Sequence, residues 1–312
     1  MYDTFKIWGG VKLLPASPLL AIANKFTSAK ETYNHITGET TITGNVGSMQ
    51  ARISEKGLSL YGSLPKYYLN DNFQVLSRGD TQRAIEKLSD TLSLSIKEAK
   101  VTRIDLAQNF IVKYEEPVYF NYLGACRYYQ RLEQPKSLYY QNGLRQMLFY
   151  CKAIEQRAKG LPIPELYQNK NVLRYEFRWL RRLSEAFNIA EVKASTLYQD
   201  SFYIEAINRW KQSYFSIRKQ KDLNFNMQCM NSVKDFEQLI YLAGLKTLFG
   251  GEREALEAVE LAKKLGVFKH KMQPQRIKDK IKELNKLSNQ ITEPEAIQEL
   301  DSKVKEAVRY YR

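Results

Sequence analysis

Apolar and polar positions change period along the chain, and each change predicts an element. From Thr40 to about Tyr68, threonine, isoleucine, valine and tyrosine run in short stretches broken by Gly44, Gly47, Gly57 and Gly62, the pattern of strands joined by turns. DTQRAIEKLSDTL follows with Ile85, Leu88 and Leu92 on one helical face and Asp80 or Thr81 as N-cap. VTRIDLAQNFIV alternates as a strand, and a second helix is expected over 118–130, where Pro117 suits a first helical turn. Asn142-Gly143 then separates two β-prone runs and predicts a hairpin, because both residues tolerate the positive φ of a type I′ turn. NVLRYEFRWL is one more strand.

Beyond about Asn188 the period becomes helical. DSFYIEAINRWKQSYFSI, SVKDFEQLIYLAGLKTLF, EREALEAVELAKKL, RIKDKIKELNKL and ITEPEAIQELDSKVKEAVRYYR are each expected to be helices, with Ser232 and Asp235 as a capping pair and Gly250-Gly251 and Gly266 as stops. The fold class is therefore α+β: an antiparallel sheet with flanking helices over 1–195, then a helical, basic C-terminal domain over 196–312.

The apolar segment LLPASPLLAIA is preceded by Asp3, Lys6 and Lys12 and interrupted by Pro15 and Pro18, so it is expected to be a folded segment rather than a signal peptide. No apolar run reaches the ~18 residues of a spanning helix, and no membrane partner is expected. Cys126, Cys151 and Cys229 are too few and too scattered for a disulfide framework, which suits a reducing cytosol.

Charge narrows the partner. Forty-eight Lys and Arg against 34 Asp and Glu leave +14, an excess that points to a polyanion, with nucleic acid first; the plainer account is solubility. The basic segment from Lys263 to Lys286, with Lys278 and Lys282, is either a phosphate-contacting surface or a solvated helix face. His35 and His270 stand far apart, which excludes a local histidine-pair metal motif, so a metal would rest on carboxylates and be Mg²⁺ or Mn²⁺. Neither a P-loop nor a G-x-G-x-x-G is present.

Three strands each carry one polar face. Arg103, Asp105 and Asn109 oppose Ile104, Leu106 and Phe110; Arg174, Glu176 and Arg178 oppose Leu173, Tyr175, Phe177 and Trp179; Tyr150 and Lys152 share a side opposite Phe149 and Cys151. An antiparallel sheet with one wet face explains each strand alone. Together, the acids, the phenol, the ammonium and the arginines are a sufficient set for metal-assisted attack on a phosphate.

The blocks LPKYYLNDNF, VTRIDLAQNF, NGLRQMLFYCKAIEQ and NVLRYEFRWLRRLSEAFNI occur in that order between about Leu60 and Ile189. Their core, R-I-D followed by Y-x-K-x-x-E and R-x-E-x-R, resembles the rolling-circle replication initiators of filamentous phages and, more distantly, plasmid initiators and mobilisation relaxases. The resemblance implies a nickase in the bacterial cytoplasm. Tyr150 would attack a phosphodiester of origin DNA, giving a 5′-phosphotyrosine and a free 3′-hydroxyl, with Asp105, Glu155 and Glu176 as ligands of Mg²⁺ or Mn²⁺ or as groups beside them. A free phenol has a pKa near 10, a deficit of roughly 4 kcal/mol at neutral pH that Lys152 would help to offset. Arg103, Arg174 and Arg178 would hold the phosphate. Tyr139 and Tyr140 come next as nucleophiles. Host helicase, host polymerase and a second copy of the chain are the expected protein partners. The rival readings are a non-catalytic origin-binding protein and, behind it, an RNA-binding protein stacking bases on Tyr67, Tyr68, Tyr128 and Tyr129, although no RNP-like pattern occurs.

Overall fold

The structure is a computed structural model that describes residues 1–14, 19–220, 222–223, 232–286, 291–292 and 294–311; Pro15, Pro18 and Cys229 lie outside them. The chain begins with β1 (Tyr2–Gly10), β2 (Thr27–Asn34), β3 (Glu39–Val46), β4 (Met49–Ser54) and β5 (Gly57–Ser63). It continues through β6 (Lys100–Val112), β7 (Leu123–Cys126), β8 (Gln130–Gln134), β9 (Ser137–Gln141), β10 (Arg145–Cys151) and β11 (Asn171–Trp179). All of these except β7 form one sheet in the order β2-β3-β4-β5-β1-β6-β11-β10-β9-β8, and every pairing is antiparallel. The expected class, α+β with an antiparallel sheet and flanking helices, is the class observed.

Strand alternation sends the apolar residues to one side. Ile104, Leu106 and Phe110 of β6 and Tyr175, Phe177 and Trp179 of β11 enter a single buried cluster. The helices that complete it are α1 (Leu19–Ala23), α2 (Leu64–Leu69), α3 (Arg78–Leu92), α4 (Glu116–Tyr122), α5 (Lys152–Ala158), α6 (Leu183–Phe187), α7 (Asp200–Phe215) and, far along the chain, Glu295–Tyr311. Tyr175 stacks on Phe149 with ring centroids 4.6 Å apart and meets Trp210 of α7 at 4.8 Å. Ile297, Leu300, Val304 and Val308 belong to the same cluster, and the Tyr214 hydroxyl donates to Asp301 at 2.7 Å.

That packing moves the domain boundary expected at 195/196. One compact unit comprises Met1–Lys219 and Ala296–Arg312, and Gln220–Glu295 form the other. The sequence changes from strands to helices near 195, but burial does not follow that change: α7 and the last helix each offer an apolar stripe that covers the sheet. The second unit contains α8 (Val233–Gly244), α9 (Glu252–Lys264) and α10 (Gln273–Lys286) around Leu242, Leu245, Val259, Ile281 and Leu284, so the last helix is α11. After β12 (Ile217–Lys219), which pairs with β7, the second unit opens and closes on β13 (Asp222–Leu223) and β14 (Ile291–Thr292), which pair with Leu223 opposite Ile291.

Cross-strand partners lie only about 5 Å apart. Replacing 224–290 by an Asn-Gly turn is therefore expected to leave the first unit folded, with a loss below about 1 kcal/mol by urea melting. Loss of the cooperative transition would show that the sheet needs the second unit.

Local details depart from expectation for identifiable reasons. The helix placed at 118–130 stops at Tyr122, because Leu123–Cys126 are drawn into pairing with β12 and Tyr128 takes a φ of 68°. The N-cap of α3 is Ser77, whose hydroxyl accepts from the Asp80 amide while Asp80 accepts from the Ser77 amide. Tyr67 and Tyr68 lie in the short helix α2, whereas β1 and β2 were not anticipated. The 142–143 hairpin forms, but neither residue has a positive φ. Instead the Asn142 side-chain oxygen accepts from the amides of Leu144 and Arg145 at 3.0 and 2.8 Å. No helix among the described residues is long and apolar enough to cross a membrane.

Candidate active site

The second sheet face is polar, and the register aligns its side chains. Asp105 pairs with Arg178 and Arg178 with Gln146; Asn109 pairs with Arg174 and Arg174 with Tyr150. One strand further out, Tyr139 faces Leu148 and Ser137 faces Tyr150. Residues from β1, β6, β9, β10, β11 and α5 thereby line a cavity of about 530 Å³ that includes Asp3, Arg103, Asp105, Tyr139, Tyr150, Glu155, Glu176 and Arg178.

Glu176 is the centre of this face. Its Oε1 accepts from the Tyr150 hydroxyl at 2.8 Å and from Arg174 Nε at 2.8 Å. Its Oε2 accepts from Arg178 Nε and Nη2 at 2.9 and 2.5 Å. Burial disfavours this carboxylate, but Arg174 and Arg178 outweigh it and bring the pKa down to about 2. Asp105 accepts from Arg103 Nε and Nη2 at 2.9 and 2.6 Å. There burial prevails over Arg103 and Arg178 and raises the carboxyl to about 6.

Arg174 is fully buried, so it anchors the site rather than reaching a ligand. Its Nη1 donates to the Asn72 carbonyl at 2.9 Å and to Asn109 Oδ1 at 3.1 Å, and its Nη2 lies 2.9 Å from Asp3 Oδ2 as an ion pair without hydrogen-bond geometry. The segment around Asn72 and Phe73 closes over this end of the face, held by Asn109 Nδ2 donating to the Phe73 carbonyl at 2.6 Å.

Lys152 does not continue the strand. β10 ends at Cys151, and Lys152 opens α5 with its ammonium buried. Nζ donates to Asn72 Oδ1 at 3.0 Å and to Glu155 Oε2 at 2.8 Å. Burial, then Arg174, lower its pKa to about 8 against the pull of Glu155. Burial also opposes the charge of Glu155, yet Lys152 and Lys159 hold its carboxyl below the usual range. No hydrogen bond joins Lys152 to Tyr150, and the charge that most favours a Tyr150 phenolate is Arg174.

The three tyrosines raised by the sequence separate clearly. Tyr140 points to the apolar side, where its hydroxyl donates to the carbonyls of Leu123 and Gly124, each at 2.7 Å. Tyr150 is half-buried, its proton committed to Glu176, and burial pushes its pKa well above the ordinary value. Tyr139 is half-buried on the cavity wall, and its hydroxyl makes no hydrogen bond to any described residue. Alternation along the chain treats Tyr139 and Tyr140 alike, and only the register shows which of the two lies on the cavity side. Asp3 and Asn72 were not anticipated, since they come from a strand and a loop whose polar residues have no periodic signal.

Asp105, Glu155 and Glu176 share the cavity but, in this arrangement, do not fit a metal ion. Each carboxylate is bound to guanidinium or ammonium groups, and among the described residues no three His, Cys, Asp or Glu come together as ligands. Lys278 and Lys282 lie on α10 of the second unit, where Lys278 pairs with Glu260.

This fold and face define an α+β protein with one working sheet surface built from ionised and phenolic side chains. Residues 20–210 match the Phage_CRI family, described as the N-terminal part of a replication-associated protein. The match spans more than half the chain, and the protein belongs to that family of filamentous-phage rolling-circle replication initiators. No curated protein matches the chain.

Proposed function

We propose that this replication-associated protein nicks one strand of origin DNA through a tyrosine, leaving a 5′-phosphotyrosine and a free 3′-hydroxyl, and later reverses the step to religate. The observation that carries the reading is the meeting, in one cavity of the polar face, of several cations and a phenol that makes no hydrogen bond to any described residue. We assign the attack to Tyr139 rather than Tyr150. Attack forms the Tyr139 oxygen–phosphorus bond as the phenol gives up its proton to solvent, breaks the bond from phosphorus to the 3′-oxygen, and leaves that oxygen to take up a proton from solvent.

Arg103 uses Nε and Nη2 on Asp105, which leaves Nη1 for a non-bridging phosphate oxygen. Lys136 and Lys159 line the same cavity and add positive charge beside the phosphate and the developing phenolate. Arg178 and Arg174 act through Glu176, whose position they hold. Tyr150, fixed to Glu176, shapes the floor. A divalent ion would have to displace one of these ion pairs, and no step is assigned to it.

In this reading the partners are supercoiled and single-stranded origin DNA in the bacterial cytoplasm, with host polymerase extending the 3′-end behind a helicase. Incubating the chain with a supercoiled plasmid carrying its own replicon should yield nicked circles with covalently attached protein. Tight binding with no scission and no adduct would instead support a non-catalytic origin-binding protein.

A further inference from the structure

The cavity that holds Tyr139 is nearly balanced in charge: Arg103, Lys136, Lys159 and Arg178 face Asp3, Asp105, Glu155 and Glu176. A site so balanced has little to hold a polyanion by itself. The surplus lies next to it. A groove of about 1350 Å³ on the same sheet face is lined by Lys6, Lys30, Arg52, Lys100, Arg181 and Arg182, with Glu185 as its acid, and it shares Tyr61 and Arg103 with the cavity.

Register places these cations in rows. Lys30 pairs with Thr43 and Thr43 with Arg52 across β2, β3 and β4, while Gln50 pairs with Tyr61, Tyr61 with Lys6 and Lys6 with Arg103 across β4, β5, β1 and β6. From Lys30 to Arg103 is five strand spacings, about 24 Å. Lys6, Lys30, Arg52 and Arg181 have no acidic partner within ion-pair distance among the described residues; Lys100 reaches Glu191 only at 3.9 Å and Arg182 reaches Glu185 at 3.4 Å. Unpaired like charges along one groove repel one another, a cost recovered when an anion threads between them. At the junction with the cavity, the Arg103 guanidinium lies 5.5 Å from the centre of the half-buried Tyr61 ring.

We propose that this groove is a backbone track for single-stranded DNA that delivers the flanking nucleotides to the cavity, with Tyr61 as a stacking platform for a base at the point of entry. Single strand is favoured over duplex because a ring on the floor of a groove is useful to a splayed base and useless to one already stacked in a helix. The proposal rests on the nicking function for its biological meaning, but the binding it asserts is independent of catalysis.

The test uses the full chain with a fluorescent 20-mer of thymidylate and a 20-base-pair duplex, with affinity followed by anisotropy against salt. Lys30→Ala combined with Arg52→Ala removes two groove cations. Lys97→Ala combined with Lys170→Ala removes the same charge from exposed positions outside the groove. The groove pair should lower the salt slope for the single strand by about 1.4, at ~0.7 per phosphate contact, while the outside pair leaves it unchanged. Tyr61→Ala should weaken single-strand binding about five- to a hundredfold without changing the slope. Equal slopes for both pairs, or a groove effect confined to the duplex, would overturn the track. Thermal melting of each variant separates these results from misfolding. Plasmid nicking by the unaltered chain is read alongside: nicking with an insensitive groove removes the track alone, and a sensitive groove without nicking removes the catalytic reading alone.

Discussion

Tyr139→Phe is expected to abolish both the nicking of supercoiled replicon DNA and the covalent adduct, by at least about a thousandfold, while leaving the melting curve nearly unchanged. The loss would be chemical because the hydroxyl makes no hydrogen bond to any described residue and its removal leaves no protein group unsatisfied. Tyr150→Phe should give the opposite pattern. It retains the adduct, but it loses a bond to a buried carboxylate and so costs about 1–2 kcal/mol of stability. Mass spectrometry of the nucleotidylated peptide decides between them: an adduct on Tyr150, or one that survives Tyr139→Phe, would return the nucleophile to Tyr150.

Glu176→Gln has the second large effect, and it falls on folding. Glu176 accepts from two guanidiniums and a phenol while itself 3% exposed, and Arg174 beside it is wholly buried. Removing the charge leaves Arg174 with Asp3 as its one remaining ion pair among the described residues and turns an amide N–H toward a guanidinium. Breaking a buried pair in this way costs about 3–5 kcal/mol, measured as a lower urea midpoint. The pH dependence has a definite sign. The folded pKa of Glu176, about 2, is depressed below its unfolded value near 4.5, so its stabilisation is complete above that value and is lost as pH falls through 2. Asp105 runs the other way: its folded pKa near 6 is raised, so its contribution is present below about pH 4 and lost as pH rises through 6. The Glu176→Gln variant should therefore lose the acid limb of the wild-type stability curve and keep the decline between pH 4 and 6. An unchanged acid limb would mean that the Arg174–Glu176 pair contributes nothing net.

The polar faces of β6 and β11 could be read directly, because a two-residue period leaves no choice about which side chains are neighbours along a strand. The same rule failed at Lys152, where the alternation that placed it beside Tyr150 was cut short by a helix beginning one residue after the strand ends. Arg174 was read as a phosphate ligand from its type and position, yet the Asn72–Phe73 segment, a hundred residues earlier, buries it. The turn at Asn142 illustrates a subtler limit. The dipeptide correctly announced a hairpin, but an Asn side chain can close a turn by its own hydrogen bonds without the positive φ that makes Asn-Gly common in tight hairpins.

Periodicity and residue order were enough to establish the α+β class, the strands that carry the acids and arginines, and the family to which the chain belongs. Those properties are local, since they depend on neighbours within one strand or on motifs a few residues long. That the Tyr150 phenol would meet Glu176 was legible in the sequence, but which phenol is left without a bond to any described residue, which guanidinium is sealed away, and why α7 and α11 join the sheet while 220–295 fold separately all required the assembled molecule. Burial and cross-strand register bring together residues remote along the chain, and no spacing within one segment encodes the partner it will meet.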